Sequence, residues 1–139
     1  MERMKLGLNE DMSRVALVVD DSMLIRHSVC RFLEERGFIV EAATNGQEAM
    51  EILNTVLPDI VITDLQMPKM TGSELITRLK DKPQTAQIPV VVLAGRSVSK
   101  EAAEARANFT IYKDIDIEAQ IAKAVLTVLG ETPSPQSVR

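Results

Sequence analysis

The chain has no tryptophan and few other aromatics, three Phe and one Tyr in 139 residues. Any core built from it must be aliphatic. It holds a single cysteine, Cys30, which excludes a disulfide framework and a cysteine metal site. No apolar run is long enough to span a bilayer. The opening Met1-Glu2-Arg3-Met4-Lys5 lacks the apolar stretch and cleavage site of a secretory leader. These absences predict a cytoplasmic protein. There is no surplus of positive charge either. The formal charge of −4 argues against nucleic-acid binding by this chain alone. The length sets one domain as the default, and the apolar fraction is ordinary and enough for one core.

What is present is a series of short apolar runs that end on polar residues. Val15-Ala16-Leu17-Val18-Val19 runs straight into Asp20-Asp21. Ile60-Val61-Ile62-Thr63 ends on Asp64, and Pro68 and Gly72 mark the loop behind it. Continuous β-branched runs of this kind are strands covered on both faces. Phe38 to Ala42, Val90-Val91-Val92-Leu93 and Phe109-Thr110-Ile111-Tyr112 read as three further strands, the last ending at Lys113.

Between the strands the period becomes helical. Ile25, Val29, Phe32 and Leu33 share one face of a first helix, with Gly37 as its stop. Ala49, Ile52 and Leu53 mark a second after the Asn45-Gly46 turn, and Leu75, Ile76 and Leu79 a third. Ser97 or Ser99 can cap a short fourth helix with Ala102, Ala103 and Ala105. Asp114 or Asp116 can cap the last, whose core face is Ile117, Ile121, Val125 and Val128 and whose stop is Gly130. Residues 1–13 show mixed charge and no clean period, as expected of a flexible extension. Residues 14–130 form the domain, and 131–139, with Pro133, Ser134, Pro135 and Ser137, read as a tail.

Five strands strictly alternating with five helices predict an α/β fold, a doubly wound parallel sheet with helices on both faces. Crossover handedness leaves few topologies. Length and strand count favour the flavodoxin-like five-stranded order 2-1-3-4-5, with its switch point between the first and third strands. In that order Asp20, Asp21 and Asp64 converge at the carboxyl edge of the sheet, and Lys113 arrives from the neighbouring side. Three carboxylates in one crevice repel and call for a cation, and oxygen donors with retained waters suit Mg²⁺.

Taken singly, each residue has a plainer reading. Asp20 and Asp21 are good helix N-caps, Asp64 can simply open a loop, and Lys113 can be a solvated lysine. Their convergence favours a site. His27, opposite the apolar stripe, reads as exposed. Cys30 reads as packing, and Met23, Met67 and Met70 as gap-fillers near the site.

These motifs carry a resemblance. Val18-Val19-Asp20-Asp21-Ser22, the segment from Ile60 to Pro68 with Gly72, and Lys113 at the end of the fifth strand are similar to the motifs of CheY-like receiver domains of two-component response regulators. The match covers about residues 14–130. It implies that Asp64 accepts a phosphoryl group from a sensor histidine kinase or phosphotransfer protein. It implies that Asp21, Asp64 and the backbone carbonyl of Gln66 bind Mg²⁺, with Asp20 helping through water, and that Lys113 pairs with the phosphoryl oxygens. Such a domain is no enzyme beyond its own phosphorylation and dephosphorylation. Because the chain ends soon after Gly130, the expected output is a contact with a downstream protein, with no membrane involved; the alternatives are a phosphate sink or a piece of a longer protein. Within the family, the residues at Gln66 and Arg96 would tune the lifetime of the acyl phosphate.

The chain departs from the family at the relay. Ala94 stands where Ser or Thr is usual, Thr110 where Tyr or Phe is usual, and Asp114 where a cis proline is usual. The segment from Ala94 to Lys113 is about one helical turn short. A hydrogen bond to a charged group is worth about 1.5–3 kcal/mol, so losing the hydroxyl at Ala94 weakens any population shift. The expectation is a phosphorylated Asp64 with the usual relay absent or rerouted, and Tyr112 filling some of the missing ring volume. One alternative is a non-phosphorylated interaction module on the same fold. Another is a Mg²⁺-dependent phosphohydrolase with an aspartyl nucleophile, disfavoured because Gln66 stands where such enzymes place an acid/base carboxylate. A flavin-binding protein is set aside, since three acids would repel the flavin phosphate.

Overall fold

The computed structural model describes residues 14–67, 69–95, 106–113 and 116–130. The two predicted tails and the predicted fourth helix, with Ser97 and Ser99, lie outside the described residues, as does Asp114. The described chain runs β1 (Val15–Val19), α1 (Met23–Glu34), β2 (Ile39–Ala43), α2 (Gly46–Leu53), β3 (Ile60–Asp64), α3 (Gly72–Lys80), β4 (Val90–Ala94), β5 (Phe109–Tyr112) and α4 (Ile117–Leu129). All neighbouring strands pair in parallel. Their order is β2-β1-β3-β4-β5, the doubly wound order expected from the alternation.

The apolar runs do what their composition demands. Every residue of β3 and β4 is buried, so side chains on both faces of the central strands need cover. Alternation sorts them into two cores. Ala16, Val18, Ile60, Ile62, Val91 and Leu93 pack against α1 and α4. Leu17, Val19, Val61, Val90 and Val92 pack against α2 and α3. Burying one such aliphatic side chain stabilises by about 1.5–3 kcal/mol, so two largely aliphatic layers, the first also holding Phe32 and Phe38, support the sheet without any tryptophan.

Each helix begins on a polar cap. Ser22, Asn45, Thr71 and Asp116 each accept from a backbone N–H in the first turn of their helix. Thr71 and Glu74 form a reciprocal capping box. Gly130 ends α4 in the left-handed conformation, φ 73°. Two details differ from expectation. The cap of α1 is Ser22 and neither acid, because Asp20 Oδ1 instead accepts from the Ser22 amide at 2.8 Å. Met23 is 72% exposed and fills no gap. It sits in the first turn of α1, and the apolar face begins only with Ile25. Met67 is buried and Met70 packs against the second core, as expected. His27 is exposed and Cys30 half-buried. Burial, then Glu34, push the Cys30 thiol up, against a smaller opposing effect of Arg26, which makes it a poor nucleophile.

Candidate phosphoacceptor site

The strand register places the site. Val19 pairs with Thr63, and Asp64 pairs with Leu93. β1 and β3 therefore end side by side, and the two residues after β1, Asp20 and Asp21, meet Asp64, the last residue of β3. Carboxylate oxygens of the three lie within 4.8 Å of one another. Lys113, directly after β5, reaches across β4. Its Nζ stands 3.1 Å from Asp20 Oδ2 and 3.2 Å from Asp64 Oδ1. All four sequence-predicted side chains come together.

Burial and charge conflict here. Asp20 is fully buried, Asp64 is 5% exposed, and Asp21 is exposed. Burial first, then the Asp20 charge, push the Asp64 carboxyl up to about 6, against the lowering effect of Lys113 and the Gln66 amide. Two carboxylates about 5 Å apart repel by about 3 kcal/mol at an effective dielectric near 20. Burial works against the Lys113 ammonium, but Asp20 and Asp64 outweigh it and raise its pKa. One ammonium serves two acids, so the cluster retains uncompensated negative charge.

The donor set fits a hard divalent cation. Asp20 Oδ2 is buried and accepts no aligned hydrogen bond, although the ammonium is close. The donors are carboxylate oxygens, with the exposed Gln66 next to them in the loop after β3. Oxygen ligands with room for retained waters are what Mg²⁺ prefers.

The loop after Asp64 is closed by a 2.9 Å hydrogen bond from the Gly72 amide to the Leu65 carbonyl. Within it Lys69 has φ 71°, a left-handed conformation that costs a residue with a Cβ about 1–2 kcal/mol. Asn tolerates this conformation better. Lys69→Asn is expected to stabilise the fold by about 0.5–1 kcal/mol, read as a higher urea midpoint at unchanged slope. An unchanged or lower midpoint would count against strain at this residue.

Comparison with known proteins agrees with this fold. The profile of the response regulator receiver domain matches residues 16–125. The chain belongs to the response regulator receiver family. Response regulator MprA of Mycolicibacterium vanbaalenii is 33% identical over 120 residues, covering 84% of this chain and 51% of that protein. The chain thus spans about half the length of that curated relative. Among solved structures, the chemotaxis response regulator CheY4 of Vibrio cholerae superposes with a TM-score of 0.75 at 29% identity, over 84% of this chain and 98% of that one. A signal receiver domain of a histidine kinase from Syntrophus aciditrophicus gives 0.74 at 28% identity, over 91% and 97%.

Ala94 is fully buried at the tip of β4, and its carbonyl accepts from the Lys113 amide at 2.9 Å. Its side chain carries no donor. Tyr112, paired with Ala94 in register, packs half-buried against the α2/α3 core, so an aromatic ring occupies this side two residues after Thr110. Three contributors to this edge escaped the sequence reading. Gln120 on α4 clamps both backbone groups of Tyr112, accepting from its N–H at 2.9 Å and donating to its carbonyl at 2.8 Å. Arg26 on α1 donates to the Asp20 carbonyl at 2.9 Å. The Thr63 hydroxyl donates to the Asp64 carbonyl at 3.0 Å. None has a sequence signature, because each acts through a backbone group.

Proposed function

We propose that Asp64 accepts a phosphoryl group from the phosphohistidine of a sensor kinase or phosphotransfer protein, and that the modified domain acts by contact with another protein. The observation that supports this is the convergence of Asp20, Asp21 and Asp64 with Lys113 at one sheet edge. With a carboxyl pKa about 6, Asp64 is mostly ionised at neutral pH and needs no separate base. One of its oxygens forms the O–P bond as the donor's P–N bond breaks, and that electron pair stays on the imidazole nitrogen. Lys113 holds its ammonium beside Asp64 Oδ1 and is positioned to pair with an incoming phosphoryl oxygen. Asp20, fixed by the Ser22 amide and Lys113, keeps that ammonium aimed at the crevice.

Asp21, Asp64 and the Gln66 backbone carbonyl would hold Mg²⁺, with Asp20 acting through water. The ion supplies charge neutralisation for the acids and the phosphoryl oxygens. The domain turns over no other substrate. Among the described residues no helix is long and apolar enough to cross a membrane, and the lone cysteine suits a cytoplasmic location.

Intact mass after incubation with acetyl phosphate and Mg²⁺ tests the assignment. Wild type is expected to gain one phosphoryl group and Asp64→Asn none. A second reading, a non-phosphorylated interaction module, is favoured by one observation, the buried methyl of Ala94 where a hydroxyl donor would be useful. Mg²⁺ binding with no adduct from either acetyl phosphate or a phosphorylated kinase would replace the first reading by the second.

A further inference from the structure

Helices α2 and α3 share one core but do not touch along their whole length. A cleft between them runs from Lys69 and Met70 near the site, past Met50, Asn54 and Arg78, to Leu57 and Lys82 at the opposite end of the sheet. The lower part has a volume of about 260 Å³ and an apolar floor of Met50, Leu53 and Leu79. Leu57 at its mouth is 60% exposed. The rim is basic. Arg78 and Lys82 are both exposed, and neither has an ion pair among the described residues. The phosphoacceptor site uses none of these lower residues.

The chain enters the sheet at this same end. The Val15 amide donates to Asp59 Oδ2 at 2.8 Å, and the Asp59 amide donates to the Val15 carbonyl at 2.7 Å. Leu57 lies two residues before Asp59. The described chain therefore begins, at Arg14, beside the mouth of the cleft. The residues that precede it, Leu6-Gly7-Leu8-Asn9-Glu10-Asp11-Met12-Ser13, offer what the cleft lacks. Leu6, Leu8 and Met12 are apolar, and Glu10 and Asp11 are acidic. Eight residues reach up to about 25 Å, so none of the lower cleft is out of range. A tether of this length gives an effective concentration on the order of millimolar, so even a weak groove fills.

We propose that the lower cleft between α2 and α3 is a docking groove for the chain's own residues 6–12, with Leu8 and Met12 over Leu53, Leu57 and Leu79 and with Glu10 and Asp11 opposite Arg78 and Lys82. The occupant is intramolecular because its attachment point adjoins the groove and its charge is opposite to the rim.

A nitroxide attached at Asn9→Cys, in a Cys30→Ser background of the full 139-residue chain, tests this. The expected result is strong broadening of the Leu53, Leu57 and Leu79 methyl signals, unchanged on tenfold dilution. Reversing the acids (Glu10→Lys with Asp11→Lys) is expected to reduce that broadening at least fivefold. Reversing the rim as well (Arg78→Glu with Lys82→Glu) is expected to restore it. A structural fault caused by either pair alone would not be repaired by the other, and amide spectra of the sheet residues report folding in every variant. Absence of broadening at these methyls overturns the proposal. So does broadening that persists when the nitroxide and the isotope label are on different molecules, which assigns the groove to a second copy. Insensitivity to both charge reversals also overturns it.

Discussion

Gly72→Ala is expected to destabilise the domain by about 2–4 kcal/mol and to cut phosphoryl incorporation at least tenfold. A Cβ on Gly72 would collide with the Asp64 carbonyl oxygen and would stand 2.9 Å from Leu65 Cα. Both are backbone atoms, so no side chain can swing aside to make room. The same glycine closes the loop through its amide bond to the Leu65 carbonyl. The loop must therefore shift, and Asp64 shifts with it, away from Asp20 and Lys113. Urea denaturation and the acetyl phosphate mass assay read the two effects separately. Recovery of fold at low temperature with full phosphorylation would show that the loop moves without carrying the carboxylate. Native stability and native phosphorylation together would mean that the close approach is relieved elsewhere.

The second large effect has an unusual sign. A salt-bridged carboxylate normally has a depressed pKa and loses stability as pH falls. Asp64 is raised from 3.8 to about 6, so the folded protein holds this proton more tightly than the unfolded chain. Between about pH 4 and pH 6 the unfolded state binds fewer protons, and stability falls as pH rises. In Mg²⁺-free buffer this contribution costs about 1–3 kcal/mol by neutral pH. Asp64→Asn is expected to remove the cost, so the variant is more stable than wild type at pH 7 and close to it at pH 4. The difference between the two proteins cancels the ionisable groups common to both. Glu48 among them is lowered, chiefly by the Thr44 amide. Millimolar Mg²⁺ is expected to narrow the gap by stabilising wild type more. Melting curves across pH 4–8, with and without Mg²⁺, measure all of this. A pH-independent difference would show that Asp64 is not strained by its neighbours.

The two large predictions share a cause, the crowding of backbone and charge around one strand end. Relief of that crowding is what the proposed chemistry would use. Lys113 offsets part of the negative charge, and its own raised pKa keeps the ammonium charged until strongly alkaline pH. The lost hydroxyl at Ala94 leaves Tyr112 and its Gln120 clamp as the built connection between this edge and α4.

Much of this protein is legible in its sequence. The strands were readable because a run such as Val15–Val19 or Val90–Ala94 is apolar at every position, a local pattern that only a strand buried on both faces satisfies. Helices α1 to α4 follow from apolar spacing, with Gly37, Asn45, Asp116 and Gly130 at or near their ends. Alternation then restricted the sheet order, and with it the meeting of Asp20, Asp21, Asp64 and Lys113. What could not be read were relations between distant backbone groups. Asp59 on the Val15 amide, Gln120 on Tyr112 and Arg26 on the Asp20 carbonyl leave no periodic trace, since a carbonyl is the same in every residue. Ser22 took the cap that Asp20 and Asp21 were equally able to supply, because the register of β1 had already committed Asp20 to the interior. Which residues end the strands is written in the local pattern. That Asp64 is pushed up to about 6 is a property of the assembled fold, because it depends on how far water is excluded and how near the other charges stand.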